Sequence, residues 1–428
     1  MPTIRRLSGL ILVAALVLAL AAPASAQKTK LTYAGWLGLY GAYKDAVQYM
    51  KDEFERKNPS VDFVRNDVPF DQALNQATIS FQGKNSADVI HSVAGWLPSL
   101  VEIGAVMPLN DVFPAGFWAK IPKGLLDSVT IDGKIMAVPW VPGPILMFYN
   151  RNLMKQAGLN PDQPPQTWPE LAQAIRAISK LPPVGGAKVW GFAMRTARNP
   201  NSAHWMIPII YGHGGDVVDA AGNVKINTPE ARAAYKWVQD LVKEGCVPEG
   251  LTIDETRNTM AAGRAGFIFE GPWGSGLFSN LSSGKTITGA GADVWLTPMP
   301  KDPNGNRRTI GNPHLIAISS LTQHKKEAAA FIEFVLSDPV FTKMYFESSK
   351  QLSTANLEIL RSGPMGADPY TQVFVQAMGQ SNDVPIKSSK FTAIMNEIVP
   401  SLQAIIGGAN IETELAGADR RVQRVLSR

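Results

Sequence analysis

The chain has 428 residues, 45% of them hydrophobic and 18% charged, with 37 glycines, 31 prolines and a single cysteine, Cys246. That length and balance allow two or more domains with real cores, and they exclude both a low-complexity chain and an internal disulfide. The formal charge of +5 drops to +3 when the two leader arginines, Arg5 and Arg6, are set aside, a surplus too small and dispersed to indicate nucleic acid.

Residues 1–26 read as a secretory signal. Arg5 and Arg6 give the basic start, and Leu10 to Ala22 is an apolar run too short to span a bilayer comfortably. Ala24-Ser25-Ala26 is a small-residue cleavage site, so the mature chain is expected to begin at Gln27 and to be periplasmic. No cysteine sits near the cut for lipid attachment, and no later segment has the apolar length of a transmembrane helix.

Leu31 to Gly35 predicts a strand, followed by the glycine-punctuated loop that carries Trp36 and Tyr40. Val47, Met50 and Phe54 recur at helical spacing, and Asn58-Pro59 stops the helix. A second strand is expected at Val61 to Val64. Asp71 stands at a helix start as a possible cap, with Gln72 beside it; Leu74, Ala77 and Phe81 form that helix's apolar face. A third strand runs from Ala87 to His91, and a helical turn from Trp96 to Ile103 ends at Gly104. This strand–helix alternation is the βαβ pattern of a parallel, doubly wound sheet.

Further on, Asp132-Gly133 is a tight turn. Two apolar strands then flank the rigid Pro142-Gly143-Pro144, which suits a passage between domains and places Trp140 beside it. Thr167-Trp168-Pro169-Glu170 is a capping box, and Thr228-Pro229-Glu230 opens another helix. His204-Trp205 is read as a loop before an apolar segment. Asn312 precedes a strand at Ile316 to Ile318. Helices follow over Lys325 to Leu336, with Phe331, Phe334 and Val335 inward, and over Ile411 to Leu426.

The most informative stretch is Arg264 to Ser275. An apolar strand, Ala265 to Phe269, ends at Glu270 and breaks into Gly271-Pro272-Trp273-Gly274. A rigid indole is therefore held just past a strand end, where open α/β sheets bind ligands. A core indole beside a tight turn is the competing reading. A sugar offers C–H faces that suit flat aromatics and hydroxyls that need fixed donors and acceptors. The loops after the expected strands supply that mixture in Trp36, Tyr40, Asp71, His91, Trp96, Trp140, Trp205, Gly271, Trp273 and Asn312. Each aromatic among them has a structural alternative, and His91 reads as an uncharged hydrogen-bonding residue.

Taken in order, several pieces resemble the extracellular solute-binding proteins of ABC importers, in the carbohydrate group with maltose- and glycerol-phosphate-binding proteins. They are Phe54 to Pro59, Ser86 to Ile90 with Gly104 to Leu109, Asp132-Gly133-Lys134 with Val138-Pro139-Trp140 and Tyr149-Asn150-Arg151, and Gly158-Leu159 with Pro165 to Trp168. Ala262 to Ala265 running into Gly271-Pro272-Trp273, and Ile318-Ser319 with Glu327 to Phe334, complete the set. The resemblance implies a periplasmic binding protein-like type II fold, α/β, with two doubly wound lobes joined by hinge segments around a ligand cleft. It implies an N-terminal lobe of residues 27–139 and 300–345, a C-terminal lobe of 145–295 and 350–428, and crossings at 139–145, 295–300 and 345–350. It also implies a monomer that delivers a carbohydrate to the membrane subunits of an ABC permease. Trp273 and Trp205 match positions where the family stacks its ligand. The aromatic that the maltose type carries in the region of Ile394 to Asn396 is absent, which argues against a maltodextrin.

Two other readings stay open. An exported glycoside hydrolase would need paired carboxylates across a cleft; no G-x-S-x-G, H-E-x-x-H or P-loop motif occurs, and the five histidines lack metal-ligand spacing. No cofactor or metal is expected. The same fold with a phosphorylated polyol or sugar acid would need cations at the cleft, for which Arg195, Arg198 and Arg257 are candidates, although an arginine is ordinarily solvated. Cys246 reads as a small buried hydrophobe.

Overall fold

The computed structural model describes residues 27–219, 221–282, 293–349, 352–382, 385–386 and 388–427. Residues 1–26, where a leader and its cleavage are expected, lie outside the described residues. Among them no helix is long and apolar enough to cross a membrane.

Thirteen strands are described. β1 (Thr29–Gly35), β2 (Val61–Asp67) and β3 (Val89–Val93) come first. β4 (Thr130–Ile131) and β5 (Lys134–Ile135) form a hairpin that turns on Asp132 and Gly133, with φ of 50° and 74°. Glycine adopts that left-handed backbone freely and aspartate tolerates it, which is why this dipeptide makes the turn. Then come β6 (Val138–Val141), β7 (Leu146–Asn150), β8 (Trp190–Phe192) and β9 (Ala265–Glu270). β10 (Val294–Thr297), β11 (Thr309–Ile310), β12 (His314–Ile318) and β13 (Ser381–Asn382) complete the set.

The long strands form two sheets. The first has the order β2-β1-β3-β12-β6, with β1 parallel to β2 and β3, and β12 antiparallel to β3 and β6. The second has the order β10-β7-β9-β8, with β8 parallel to β9 and the other pairs antiparallel. Side chains alternate across each strand, so both faces of each sheet need cover. In β7, Met147 and Tyr149 join one core while Leu146 and Phe148 join another. In β12, Ile316 and Ile318 face Phe331 and Phe54, whereas Leu315 and Ala317 face Leu97 and Leu100.

Local sequence explains the helices that cover them. Lys44–Lys57 buries Ala46, Val47, Met50 and Phe54 and stops before Pro59. Trp168–Ser179 starts with the full capping box of Thr167 and Glu170. Pro229–Lys243 starts on Thr228 and is followed by Gly245 at φ 70°. Phe391–Ile406 and Ile411–Leu426 pack on each other and on the second sheet's helices. Helix Phe70–Gln82 differs from expectation in one respect. Its cap is Pro69, with no side-chain cap bond, and Asp71 is an exposed first-turn residue. A carboxylate there still favours the positive helix end, without serving as the cap.

The passages between the sheets are paired to each other. Asn312 N–H donates to the Gly143 carbonyl at 2.8 Å, and Ile145 N–H to the Ile310 carbonyl at 2.9 Å. Gly311 N–H donates to the Asn382 carbonyl at 3.2 Å, and β11 runs parallel to β13. A Cβ on Gly143 would sit 2.6 Å from the Asn312 carbonyl oxygen, so only glycine allows this approach. The return passage therefore falls at residues 310–313, later than the expected 295–300. Residues 301–308 stay with the second sheet, because Lys301 pairs with Thr167, Arg307 bonds Gln166 and Arg308 bonds Asp216. The third passage is also later than 345–350. Helix Pro339–Ser349 packs on Lys44–Lys57, and Leu357 still bonds the Lys120 carbonyl. Helix Pro369–Ala377 then lies under the second sheet, with Phe374 and Tyr370 against Phe148.

Candidate functional site

β1, β3, β8 and β9 all point their carboxyl ends at the gap between the two sheets, and a cavity lies there. From the first sheet's loops come Trp36, Tyr40 and Tyr43, which follow β1, together with Asn312 and His314 where β12 begins. From the second come Arg195 and Trp205, which follow β8, Trp273 after β9, and Arg257 from helix Ile253–Ala261. The cavity volume is about 50 Å³. That is room for a few waters and far below the several hundred Å³ of a small-molecule site, so this arrangement is closed and a sugar would enter only as the walls separate.

Trp273 is placed by its own turn. Its indole folds back over Gly271, where an added Cβ would lie 2.4 Å from the ring. Its Nε1–H donates to Glu270 Oε1 at 2.5 Å, and the Tyr370 hydroxyl holds the turn by donating to the Pro272 carbonyl at 2.9 Å. Across the gap the His314 ring lies nearly parallel to the indole, 5.6 Å between centroids and 20° between planes. Gly271 is thus a site residue through the indole it admits.

Glu270 is wholly buried and is the centre of a charge cluster. Arg257 Nε donates to its Oε2 at 2.8 Å, Arg195 Nη2 lies 3.3 Å from both oxygens, and the Gly271 N–H donates to Oε1 at 3.0 Å. Burial by itself would raise the carboxyl; the two guanidiniums outweigh it and hold Glu270 at about 2. Arg195 is lowered to about 10 by burial and remains cationic at neutral pH. Its guanidinium lies over the Trp205 ring, 3.6 Å from the centroid, a cation–π contact that also covers that face of the indole.

Trp36 is braced from behind. His91 stacks on it at 3.6 Å and 15°, and His91 in turn bonds the Tyr33 hydroxyl at 3.1 Å and His314 Nδ1 at 3.2 Å. Burial lowers His91 well below the ordinary value and His314 to about 3, so both rings are neutral at pH 7.

The ten residues singled out in the sequence therefore separate. Trp36, Tyr40, Trp205, Trp273 and Asn312 line the cavity, and Gly271 seats Trp273. His91 supports the wall without lining it. Trp96 sits edge-on to Trp36 at 5.9 Å and against Phe70 at 4.9 Å, behind the lining. Asp71 is exposed on the helix rim. Trp140 is a core residue, 0% exposed, stacked on Tyr345 at 5.7 Å, and does not reach the cavity. Its strand lies at the sheet's edge beside β12, so its side chain turns into the apolar layer under helix Pro339–Ser349. Trp205 belongs to a helix end, not a loop, being the C-cap of Pro200–His204.

Sequence reasoning left Glu270, His314 and Tyr43 unassigned, and gave Arg195 and Arg257 a solvated default that their burial overturns; Arg198 is the exposed one. A signal for Glu270 was available: an acid closing a wholly apolar strand needs a cation close by. Among the described residues no group of three or more acidic, histidine or cysteine side chains is placed to hold a metal. Cys246 is buried and free.

Residues 40–340 match the family described as bacterial extracellular solute-binding protein. The chain belongs to that family. Among solved structures, a solute-binding protein from Thermotoga lettingae TMO, bound with alpha-D-tagatose, superposes with a TM-score of 0.81 at 20% identity, covering 93% of this chain and 100% of that one. The GacH receptor of Streptomyces glaucescens, solved unliganded and with acarbose, gives 0.81 at 21% identity, covering 94% and 99%. The sn-glycerol-3-phosphate-binding periplasmic protein UgpB of Rhizobium meliloti is 23% identical over 400 residues, 89% of this chain and 88% of its own. The fold of this solute-binding protein is accordingly the two-lobed type II arrangement. The family is one of binding proteins, not of enzymes.

Proposed function

We propose that the protein is the periplasmic receptor of an ABC importer and captures a sugar or sugar derivative between its lobes by hinge closure. The observation that carries this is a cavity walled by both sheets' loops and lined by three indoles and by polar side chains. Trp36 and Trp273 offer flat apolar faces from opposite sides, and Asn312 and Tyr40 supply neutral donors and acceptors. That is the pairing a polyhydroxylated ring needs. The relatives that bind tagatose, acarbose and glycerol phosphate support the class of ligand without choosing a member of it. The lobes are residues 27–141 with 313–366, and 145–308 with 369–427, and the passages between them are the hinge. Delivery is to the permease's membrane subunits, which meet the two lobe rims in register only when the protein is closed. The receptor acts as a monomer, its leader removed after Ala26.

A screen of sugars by thermal shift finds the ligand, since one present at about 100 times its Kd stabilises the native state by about 2.7 kcal/mol. With that ligand, Trp273→Ala is expected to cost about 2 kcal/mol or more of binding free energy by calorimetry, as buried aromatic anchors do. Unchanged affinity would remove Trp273 from the site. Product formation from oligosaccharides would point instead to a hydrolase.

A further inference from the structure

The cavity wall carries more positive charge than it neutralises. Arg195 and Arg257 are 3% and 8% exposed, the Glu270 they pair with is 0% exposed, and among the described residues no acidic side chain lines the cavity. The nearest other acids are on the rim: Asp254, 77% exposed, stands 3.9 Å from Arg257 Nη1, and Asp71 is exposed. Two buried cations therefore share one buried anion, with only the solvent-exposed Asp254 as a further, distant partner, so a surplus of positive charge faces the gap. A desolvated positive charge that is only partly compensated is costly, which makes the gap a place where an anion is stabilised.

The hydrogen-bond geometry leads to the same conclusion. Each guanidinium has five N–H donors. Arg195 spends Nη2 on two long 3.3 Å contacts to Glu270, and its buried Nε has no partner. Arg257 spends Nε on Glu270; among the described residues its two terminal nitrogens make no hydrogen bond, and Nη1 has only the exposed Asp254 at 3.9 Å. Neutral hydroxyls would satisfy these donors but would leave the charge. A carboxylate or a phosphate would satisfy both, because its oxygens match the planar fork. The flat faces of Trp36 and Trp273 stand beside the pair, so a ring and an anion can be held in the same closure.

We propose that the ligand is an anionic polyol, a sugar-like ring bearing a carboxylate or phosphate, whose anion is held by Arg195 and Arg257 while the indoles take the ring. This rests on the receptor reading above and narrows its ligand class. Glu270 then has a defined part: it fixes Arg257 and Trp273 in one network while leaving positive charge toward the gap.

The test is calorimetry on the leader-free chain with three matched sets of probes: glucose and galactose; glucuronate and galacturonate; glucose-6-phosphate and glycerol-3-phosphate. An anionic probe is expected to bind at least about tenfold more tightly than its neutral counterpart, the worth of a hydrogen bond to a charged group. Preference between the second and third sets tells carboxylate from phosphate. Neutral sugars binding as well as or better than every anionic probe would overturn the proposal and leave the receptor reading standing; no binding in any set would count against both. Arg257→Lys, which keeps the charge and loses the fork, is expected to weaken the anionic probe about tenfold with the melting temperature held. Arg257→Gln should abolish the preference for the anion; if that variant does not fold, the lysine variant and the probe sets decide, and equal affinities for charged and neutral probes in both proteins refute the assignment.

Discussion

Glu270 shows what one buried carboxylate does in three directions at once. It accepts from the Trp273 indole, anchors Arg257 and faces Arg195. Removing its charge by Glu270→Gln leaves two buried guanidiniums with no counter-charge, and we expect a loss of about 3–5 kcal/mol of stability in urea unfolding. Its depressed pKa sets the sign with pH: the stabilisation is full above the unfolded carboxyl value near 4.5 and is lost as pH falls toward about 2. The buried histidines act at higher pH. His204 and His314 are held to about 3 by burial, with Arg195 adding to the effect at His204. The unfolded chain binds their protons from about 6.5 downward and the folded chain does not, so stability falls from pH 7 toward pH 3. His204→Phe, which also removes a buried Nε2 without a partner, is expected to flatten the slope of the urea midpoint between pH 7 and 5; an unaltered slope would mean that His204 titrates in the folded state. These side chains were the least legible part of the sequence. An arginine's burial depends on what packs around it, and nothing in the residues next to Arg195 marks it as different from the exposed Arg198.

The strands and helices were far more readable, because their signals are local. The apolar run Ala265 to Phe269 ended at Glu270 as expected, and the glycine and proline after it made the turn that presents Trp273. The capping box at Thr167 formed, with Thr167 Oγ1 accepting from the Glu170 N–H at 3.4 Å and Glu170 returning to the Thr167 N–H at 3.2 Å. Thr167→Ala is expected to cost about 1 kcal/mol in chemical denaturation. The inward face read at Phe331 is a packed one: Phe331 stacks on Phe63 at 4.6 Å and meets Phe54 edge-on at 5.3 Å. Where the local reading erred, the error was one of environment. Asp71 had the right residue type for a cap, but Pro69 took that position. Trp140 lies on β6 just before the chain passes to the second sheet, yet its strand faces it into the core.

The molecule as a whole is governed by the passages at 142–145 and 310–313, which pair with each other between the sheets. Gly143 is where they come closest, and Gly143→Ala would press a methyl into the Asn312 carbonyl, 2.6 Å away. We expect a loss of about 1–3 kcal/mol together with a change in the angle between the lobes, visible as an altered radius of gyration in small-angle scattering. A radius identical to the parent's would show that the hinge absorbs the methyl locally. The lobes also touch through Ser99 Oγ, which donates to the Ser389 carbonyl at 2.6 Å. Hinge and latch together explain why a cavity walled from both sides is nearly filled by its own side chains. Composition and the order of strands and helices were decided along the chain, since each depends on residues a few positions apart. The passages at 310–313 and near 367, and the burial of Arg195 against a carboxylate 75 residues away, were decided only when distant segments came together, because the free energy of a charge depends on its surroundings in space.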